Sequence, residues 1–232
     1  MNIALLGYGK MGKVIERIAL ERGHAIVLRK TRQDSFEGLE TADVAIDFSI
    51  PDAAVENITA CLQNGIPVVS GTTGWLAEYE AMKALCEKQK GAFLYGSNFS
   101  LGVNLFFELN QKLAQLMAKF PQYAVDMEEI HHTQKLDKPS GTAITLAEGL
   151  LPYTPFTQWS LEAEATDKLY IDVKRENDVP GTHSIFYRSA VDTIEIKHTA
   201  HNREGFAYGA VIAAEWLATR KGVFTMKDVL DL

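Results

Sequence analysis

The sequence predicts an α/β chain: a doubly wound parallel sheet into which an α+β segment, built on a mixed, largely antiparallel sheet, is inserted. Three observations carry this. Over the first hundred residues short apolar runs alternate with stretches of helical periodicity, the pattern of strands joined by helical crossovers. From residue 101 that rhythm breaks into one long amphipathic helix and then several β-type segments with no regular helices between them. After residue 203 a helical apolar stripe returns.

The elements follow in order. Ile3-Ala4-Leu5-Leu6 is a short apolar run of the kind buried on both faces of a parallel sheet, and Met11, Val14, Ile15, Ile18 and Ala19 then recur at helical spacing. Ala25-Ile26-Val27-Leu28 is a second strand, residues 33–41 a polar surface connection, and Val44-Ala45-Ile46-Asp47-Phe48 a third strand. Pro51 opens a helix carrying Val55, Ile58, Cys61 and Leu62. Ile66-Pro67-Val68-Val69, a helix with Leu76, Tyr79, Met82 and Leu85, and Ala92-Phe93-Leu94-Tyr95 continue the alternation. The inserted part starts with a helix from Leu101 to Phe120. It continues with a strand at 123–130, a helix through Ala143, Ile144, Leu146, Ala147 and Leu150, and alternating segments at 170–174, 182–187 and 193–198. Phe206 to Leu217 is helical, and Thr225-Met226-Lys227-Asp228 has the form of a capping box.

Composition narrows the function. With 232 residues and 47% hydrophobic content the chain can bury a full core, as one large or two modest domains. A net charge of -7 argues against general nucleic-acid binding. The two cysteines, Cys61 and Cys86, both fall in apolar periodic stretches and suit reduced core thiols of a cytoplasmic protein. No signal segment or membrane span is expected.

Two segments carry chemistry. Gly7-Tyr8-Gly9-Lys10-Met11-Gly12 sits between the first strand and the first helix, the context in which such a glycine string brings backbone close to a pyrophosphate at a helix N-terminus. This makes residues 1–100 with 204–232 a Rossmann-type dinucleotide-binding domain, with 101–203 inserted as a second domain. The second strand ends in Arg29-Lys30-Thr31-Arg32, where an NAD site usually has an acid; cations there suit a 2′-phosphate, so NADPH is favoured over NADH, with Arg29 as the expected contact. The turns Gly71-Thr72-Thr73 and Gly96-Ser97-Asn98-Phe99 follow later strands, where ligand contacts gather. The second segment, residues 128–142, packs His131, His132, Lys135 and the Ser140-Gly141-Thr142 turn into one loop between a strand and a helix. Free N–H groups and hydroxyls at that helix start form an anion cradle, while His131 and Lys135 can move protons. A capped helix behind a solvated polar loop is the plainer alternative.

Taken together, Asp47-Phe48-Ser49, Gly71-Thr72-Thr73-Gly74, Asn98-Phe99-Ser100-Leu101-Gly102-Val103-Asn104, the string from Glu128 to Ala143, and His198 with Phe206-Ala207-Tyr208-Gly209-Ala210 resemble the dihydrodipicolinate (4-hydroxy-tetrahydrodipicolinate) reductase family. The resemblance spans nearly the whole chain. It implies an oxidoreductase of bacterial lysine and diaminopimelate biosynthesis that reduces a cyclic dicarboxylate with NAD(P)H and holds no metal. His131 and Lys135 would be catalytic; His132, Ser140, Gly141 and Thr142 would bind substrate; Gly7 to Gly12, Gly71 to Thr73 and Gly96 to Phe99 would bind cofactor. Residues 101–203 would be the substrate-binding and oligomerisation domain of a homotetramer. Two other classes stay open: an NAD(P)H-sensing regulator without turnover, and a zinc enzyme using histidines among His131, His132, His183, His198 and His201, for which no carboxylate partner is suitably spaced.

Overall fold

A computed structural model describes residues 1–165, 167–202 and 204–232. The chain divides into two compact units, Met1–Leu101 with Glu204–Leu232, and Gly102–Arg203.

The first unit is built on β1 (Asn2–Leu6), β2 (Ala25–Lys30), β3 (Val44–Asp47), β4 (Val68–Ser70) and β5 (Ala92–Tyr95), with α1 (Lys10–Glu21), α2 (Pro51–Gln63) and α3 (Tyr79–Lys88) as crossovers. Every pairing is parallel. Strands β3 and β4 are buried throughout, as a parallel sheet covered on both faces requires. The order β11-β5-β4-β3-β1-β2 includes a sixth strand, β11 (Gly222–Phe224), which the sequence did not reveal because three residues are too few to show a period. The chain lays β2 on one side of β1 and β3 on the other, so the direction of winding reverses at β1. Ligands of such sheets bind outside the strands' carboxyl ends at that reversal.

Helix α6 (Glu204–Leu217) lies on this sheet, with Ala207, Ala210, Val211, Ala213, Ala214 and Leu217 fully buried. Its approach is close: a Cβ on Gly209 would fall 1.7 Å from the carbonyl oxygen of Phe99. The short α7 (Met226–Leu230) starts at the expected capping box of Thr225 and Asp228.

The second unit contains α4 (Leu101–Met117), β6 (Ala124–His131), α5 (Gly141–Leu150), β7 (Trp159–Ser160), β8 (Leu169–Arg175), β9 (Gly181–Arg188) and β10 (Thr193–Ala200). Its sheet, in order β10-β9-β6-β8-β7, is antiparallel from β10 to β6 and parallel from β6 to β7. The long pairings are the antiparallel ones, so the mixed sheet expected from the sequence is present. Helix α4 stops at Met117 rather than Phe120: beyond it Lys119 and Phe120 make i→i−3 turn bonds to Leu116 and Met117, and Pro121 disfavours helical backbone at Phe120. Phe106, Ala114, Met127, Leu146, Leu150, Ile171, Ile185 and Tyr187 form the core between helices and sheet.

Candidate active site

In the first unit, the turns after β1, β2 and β3 surround a cavity of about 480 Å³ lined by Gly7, Tyr8, Gly9, Lys30, Thr31, Arg32, Phe48, Ser49 and the first turns of α2. The glycines have different jobs. Gly7 adopts φ 99° and lies so close to β3 that a Cβ would reach 2.2 Å from the Phe48 carbonyl oxygen. A Cβ on Gly12 would meet the Gly7 carbonyl oxygen at 2.5 Å, so Gly12 lets α1 sit against the turn. Around Gly9 there is open space, room for a pyrophosphate at the start of α1. Lys10 is exposed, and Met11 packs toward the core. These features fit a dinucleotide.

Arg29 departs from expectation. It does not line this cavity; its Nε bonds Glu16 Oε1 at 2.9 Å, Nη2 bonds the same carboxylate, and the Tyr8 hydroxyl donates to Glu16 as well. Alternation along β2 explains it, since neighbouring residues point to opposite faces and Arg29 is turned toward α1. The cations at the cavity are Lys30 and Arg32. Lys30 is buried, its ammonium 4.6 Å from the centre of the Phe36 ring and 3.2 Å from the Thr31 carbonyl oxygen, whereas Arg32 is exposed.

The remaining turn residues sit beside β3. Thr72 donates to the buried Asp47 at 2.8 Å and accepts from Ser49 N–H; Gly71 packs on the Phe48 ring; Thr73 is exposed. Asp47 also accepts from Ser49 (2.7 Å), Asn57 (2.9 Å) and Ser70 (2.9 Å), which ties the strand ends together. Burial raises the Asp47 pKa, and these hydrogen bonds oppose the rise. Gly96 lies against Phe99, Ser97 is exposed, and Asn98 accepts from Ser100 N–H. Phe99 is buried with its ring centre 5.5 Å from that of Phe48, and its carbonyl faces Gly209 of α6, so it supports the turn from beneath.

In the second unit, alternation along β6 puts Glu129 and His131 on one face. Glu129 is fully buried, and His131 (7% exposed) and His183 on β9 (5%) lie beside it. Glu129 Oε2 is 3.8 Å from His131 Nδ1 and 3.7 Å from His183 Nε2, and the two rings meet edge to face at 5.1 Å. Ser140 closes the cluster: its N–H donates to Glu129 at 3.0 Å, its hydroxyl donates to the same oxygen, and that hydroxyl accepts from Ala143 N–H as the cap of α5. Both donors of Ser140 are therefore engaged, and it stands behind the cradle rather than open to a ligand. Gly141, the first residue of α5, has free space where a Cβ would be, and Thr142 follows it. His132 lines a separate cavity of about 270 Å³ with Thr133, Gln134, Asp178, Pro180 and Asn202. Lys135 is mostly buried, with Nζ 2.8 and 2.9 Å from the Asp137 carboxylate.

Burial lowers the His131 pKa to about 4; Glu129 pulls it back up, and His183, Lys135 and Arg175 add to the lowering. For Glu129 burial pulls upward, but the contacts to His183 and Ser140 and the charge on His131 outweigh it and leave it at about 2. At neutral pH the cluster thus holds a carboxylate beside a neutral imidazole. Glu129, His131 and His183 are also close enough to meet one cation, so the carboxylate partner that the sequence reading lacked does exist. Its oxygens are already occupied, Oε2 by Ser140 and Oε1 by Arg175 at 3.1 Å, the chemistry of a hydrogen-bond network. Glu129, Arg175 and Asp47 were not among the expected site residues, and His183 was expected only as a ligand in the zinc alternative. Two-residue spacing from His131 could have singled out Glu129, but nothing local marks His183 or Arg175, which arrive from other strands.

The chain is similar to known proteins along its length. The family models described as dihydrodipicolinate reductase, N-terminus and C-terminus, match residues 1–99 and 102–230. A 4-hydroxy-tetrahydrodipicolinate reductase of Christiangramia forsetii is 56% identical over 100% of this chain and 98% of its own length. One from Methanoculleus marisnigri is 36% identical over 89% of this chain and 82% of its own. Among solved structures, a dipicolinate-bound dihydrodipicolinate reductase from Paenisporosarcina sp. TG-14 shares the fold, with TM-score 0.75, 24% identity and 97% of each chain covered. This chain belongs to the dihydrodipicolinate reductase family.

Proposed function

We propose that the protein reduces 4-hydroxy-tetrahydrodipicolinate to tetrahydrodipicolinate and water at the expense of NAD(P)H, a step of lysine and diaminopimelate biosynthesis. The observation that carries this reading is the β6–α5 segment, where a neutral imidazole on a buried carboxylate, an ammonium and an open helix N-terminus share one short loop. Bound NAD(P)H supplies the hydride. The protein does the rest. The amides of Gly141 and Thr142, with His132, hold the ring carboxylates, because the positive end of the helix dipole at the start of α5 attracts anions. His131 is neutral while the site is empty; a dianion docked nearby favours its protonated form, so binding loads the acid. Lys135 brings its side-chain amine to the same loop, to donate a proton or oppose developing negative charge. The 4-hydroxyl leaves together with a hydrogen of the neighbouring ring carbon as water, and the hydride added to the ring is then balanced by one proton, which His131 or Lys135 supplies.

The cavity residues Lys30 and Arg32 support a preference for NADPH, since both put positive charge on the wall of the cavity, the exposed Arg32 most accessibly, and cations suit a ribose 2′-phosphate. No helix among the described residues is long and apolar enough to cross a membrane. A cytoplasmic location and a homotetramer formed through the second unit's sheet complete the reading; the largely exposed edge strand β10 leaves that sheet an edge to cover.

The test is direct. Purified protein mixed with freshly generated cyclic substrate and either cofactor should lose absorbance near 340 nm, with tetrahydrodipicolinate formed in equal amount. No loss with NADPH or NADH would favour a protein that senses the cofactor without turning it over.

A further inference from the structure

We infer that Arg175 is the positioning residue of the site, one guanidinium that sets both proton-handling side chains. The inference rests on the proposed reaction for its kinetic consequences, while its structural basis is independent of it. Arg175 ends β8, in register with His131 at the end of β6. Its Nη1 donates to Glu129 Oε1 at 3.1 Å and to the Lys174 carbonyl at 2.9 Å. Its Nε donates to the Lys135 carbonyl at 3.3 Å, and Nη2 to the Asp137 carbonyl at 2.6 Å. One planar group therefore reaches, on one side, the carboxylate that stands against His131 and, on the other, the backbone on either side of residue 136.

The loop needs such a tether. Thr133, Gln134, Asp137 and Lys138 are exposed, and Leu136 is 93% exposed, so apart from Lys135 the segment 133–138 has little packing to fix it. Local order in a segment with few buried contacts comes from its hydrogen bonds, and the two carbonyls held by Arg175 bracket the stretch that begins with Lys135. The Arg175 side chain is itself only 10% exposed beside a fully buried partner, so its charge balances Glu129 where water does not. A lysine cannot replace it, because an ammonium lacks the fork that serves a carboxylate and two carbonyls at once.

The experiment compares wild type, Arg175→Lys and Arg175→Ala in turnover, in KM for each substrate and in hydrogen exchange of residues 132–138. A misplacement of about 1 Å can cost on the order of 10²-fold in rate. Arg175→Lys should therefore lose about that much in kcat while cofactor KM stays within about threefold, and exchange in 132–138 should quicken. Added guanidinium at low millimolar concentration should restore part of the kcat of Arg175→Ala, whereas methylammonium should not. If Arg175→Ala does not fold, Arg175→Lys carries the test. An Arg175→Lys enzyme with wild-type kcat and unchanged exchange would overturn the inference. So would a loss that guanidinium does not relieve and that comes with loosening throughout the unit. Wild type without turnover would instead sink the proposed reaction, and the exchange comparison alone would then judge Arg175.

Discussion

Nδ1 of His131 lies 3.8 Å from Oε2 of Glu129, a carboxylate with no solvent exposure. Burial wins over that attraction and holds the imidazole at about 4, against an ordinary 6.5. The unfolded chain therefore binds a proton that the folded chain refuses. This contribution to stability is complete above pH 6.5 and is lost as pH falls toward 4. The full shift is worth about 3 kcal/mol. Glu129, held near 2, begins to weaken the fold only below its ordinary 4.5, so the window from 6.5 to 4.5 reports His131 within this pair. Urea denaturation across that window should show stability falling in wild type and falling less in His131→Gln. Parallel curves would mean that the imidazole is not held neutral.

Cofactor choice should follow the cavity rather than the strand end as a whole. Arg29 is committed to Glu16, and Lys30 and Arg32 line the cavity. Arg32→Asp should lower the ratio of NADPH to NADH turnover by about tenfold or more, as expected for removal of a phosphate contact. Arg29→Asp should leave that ratio near wild type. The reverse pattern would place the ribose site on the other face of β2.

The proposed chemistry needs no resident metal, because the oxygens of Glu129 are already held by Ser140 and Arg175. Exhaustive chelation followed by assay in chelator should leave kcat unchanged. Loss of activity restored by a divalent transition metal would reassign Glu129, His131 and His183 as ligands.

Helix α6 tests the packing account. Gly209 faces the Phe99 carbonyl so closely that an added methyl would sit 1.7 Å from its oxygen. Gly209→Ala must push the helix off the sheet, and overpacking of this kind costs about 3 kcal/mol. Denaturant titration of the variant checks it, and stability within about 0.5 kcal/mol of wild type would show that the helix has room.

Much of this was legible in the sequence because its signals are local. Period-2 and period-3.6 patterns located the long strands and helices, the glycine turn located the cavity, and the histidine–lysine string marked the candidate site of the second unit. What escaped depends on distance along the chain. Strand β11 is too short to carry a period, and the direction of Arg29 is decided by Glu16 on a neighbouring helix. His183 and Arg175 reach Glu129 only because β9 and β8 flank β6, a pairing that no window of sequence contains. Ser140 was found, but its hydroxyl faces inward because Glu129 is buried beneath it.

The central claim is that the β6–α5 loop handles the protons of a dicarboxylate reduction. The measurement closest to it is steady-state oxidation of NADPH by wild type, His131→Gln and Lys135→Ala with freshly generated 4-hydroxy-tetrahydrodipicolinate, alongside cofactor binding by fluorescence. Wild type should turn over, and each variant should lose on the order of 10²-fold or more in kcat while binding NADPH as before. Variants that keep wild-type kcat would contradict the claim and leave the loop a capped helix start with no part in the chemistry.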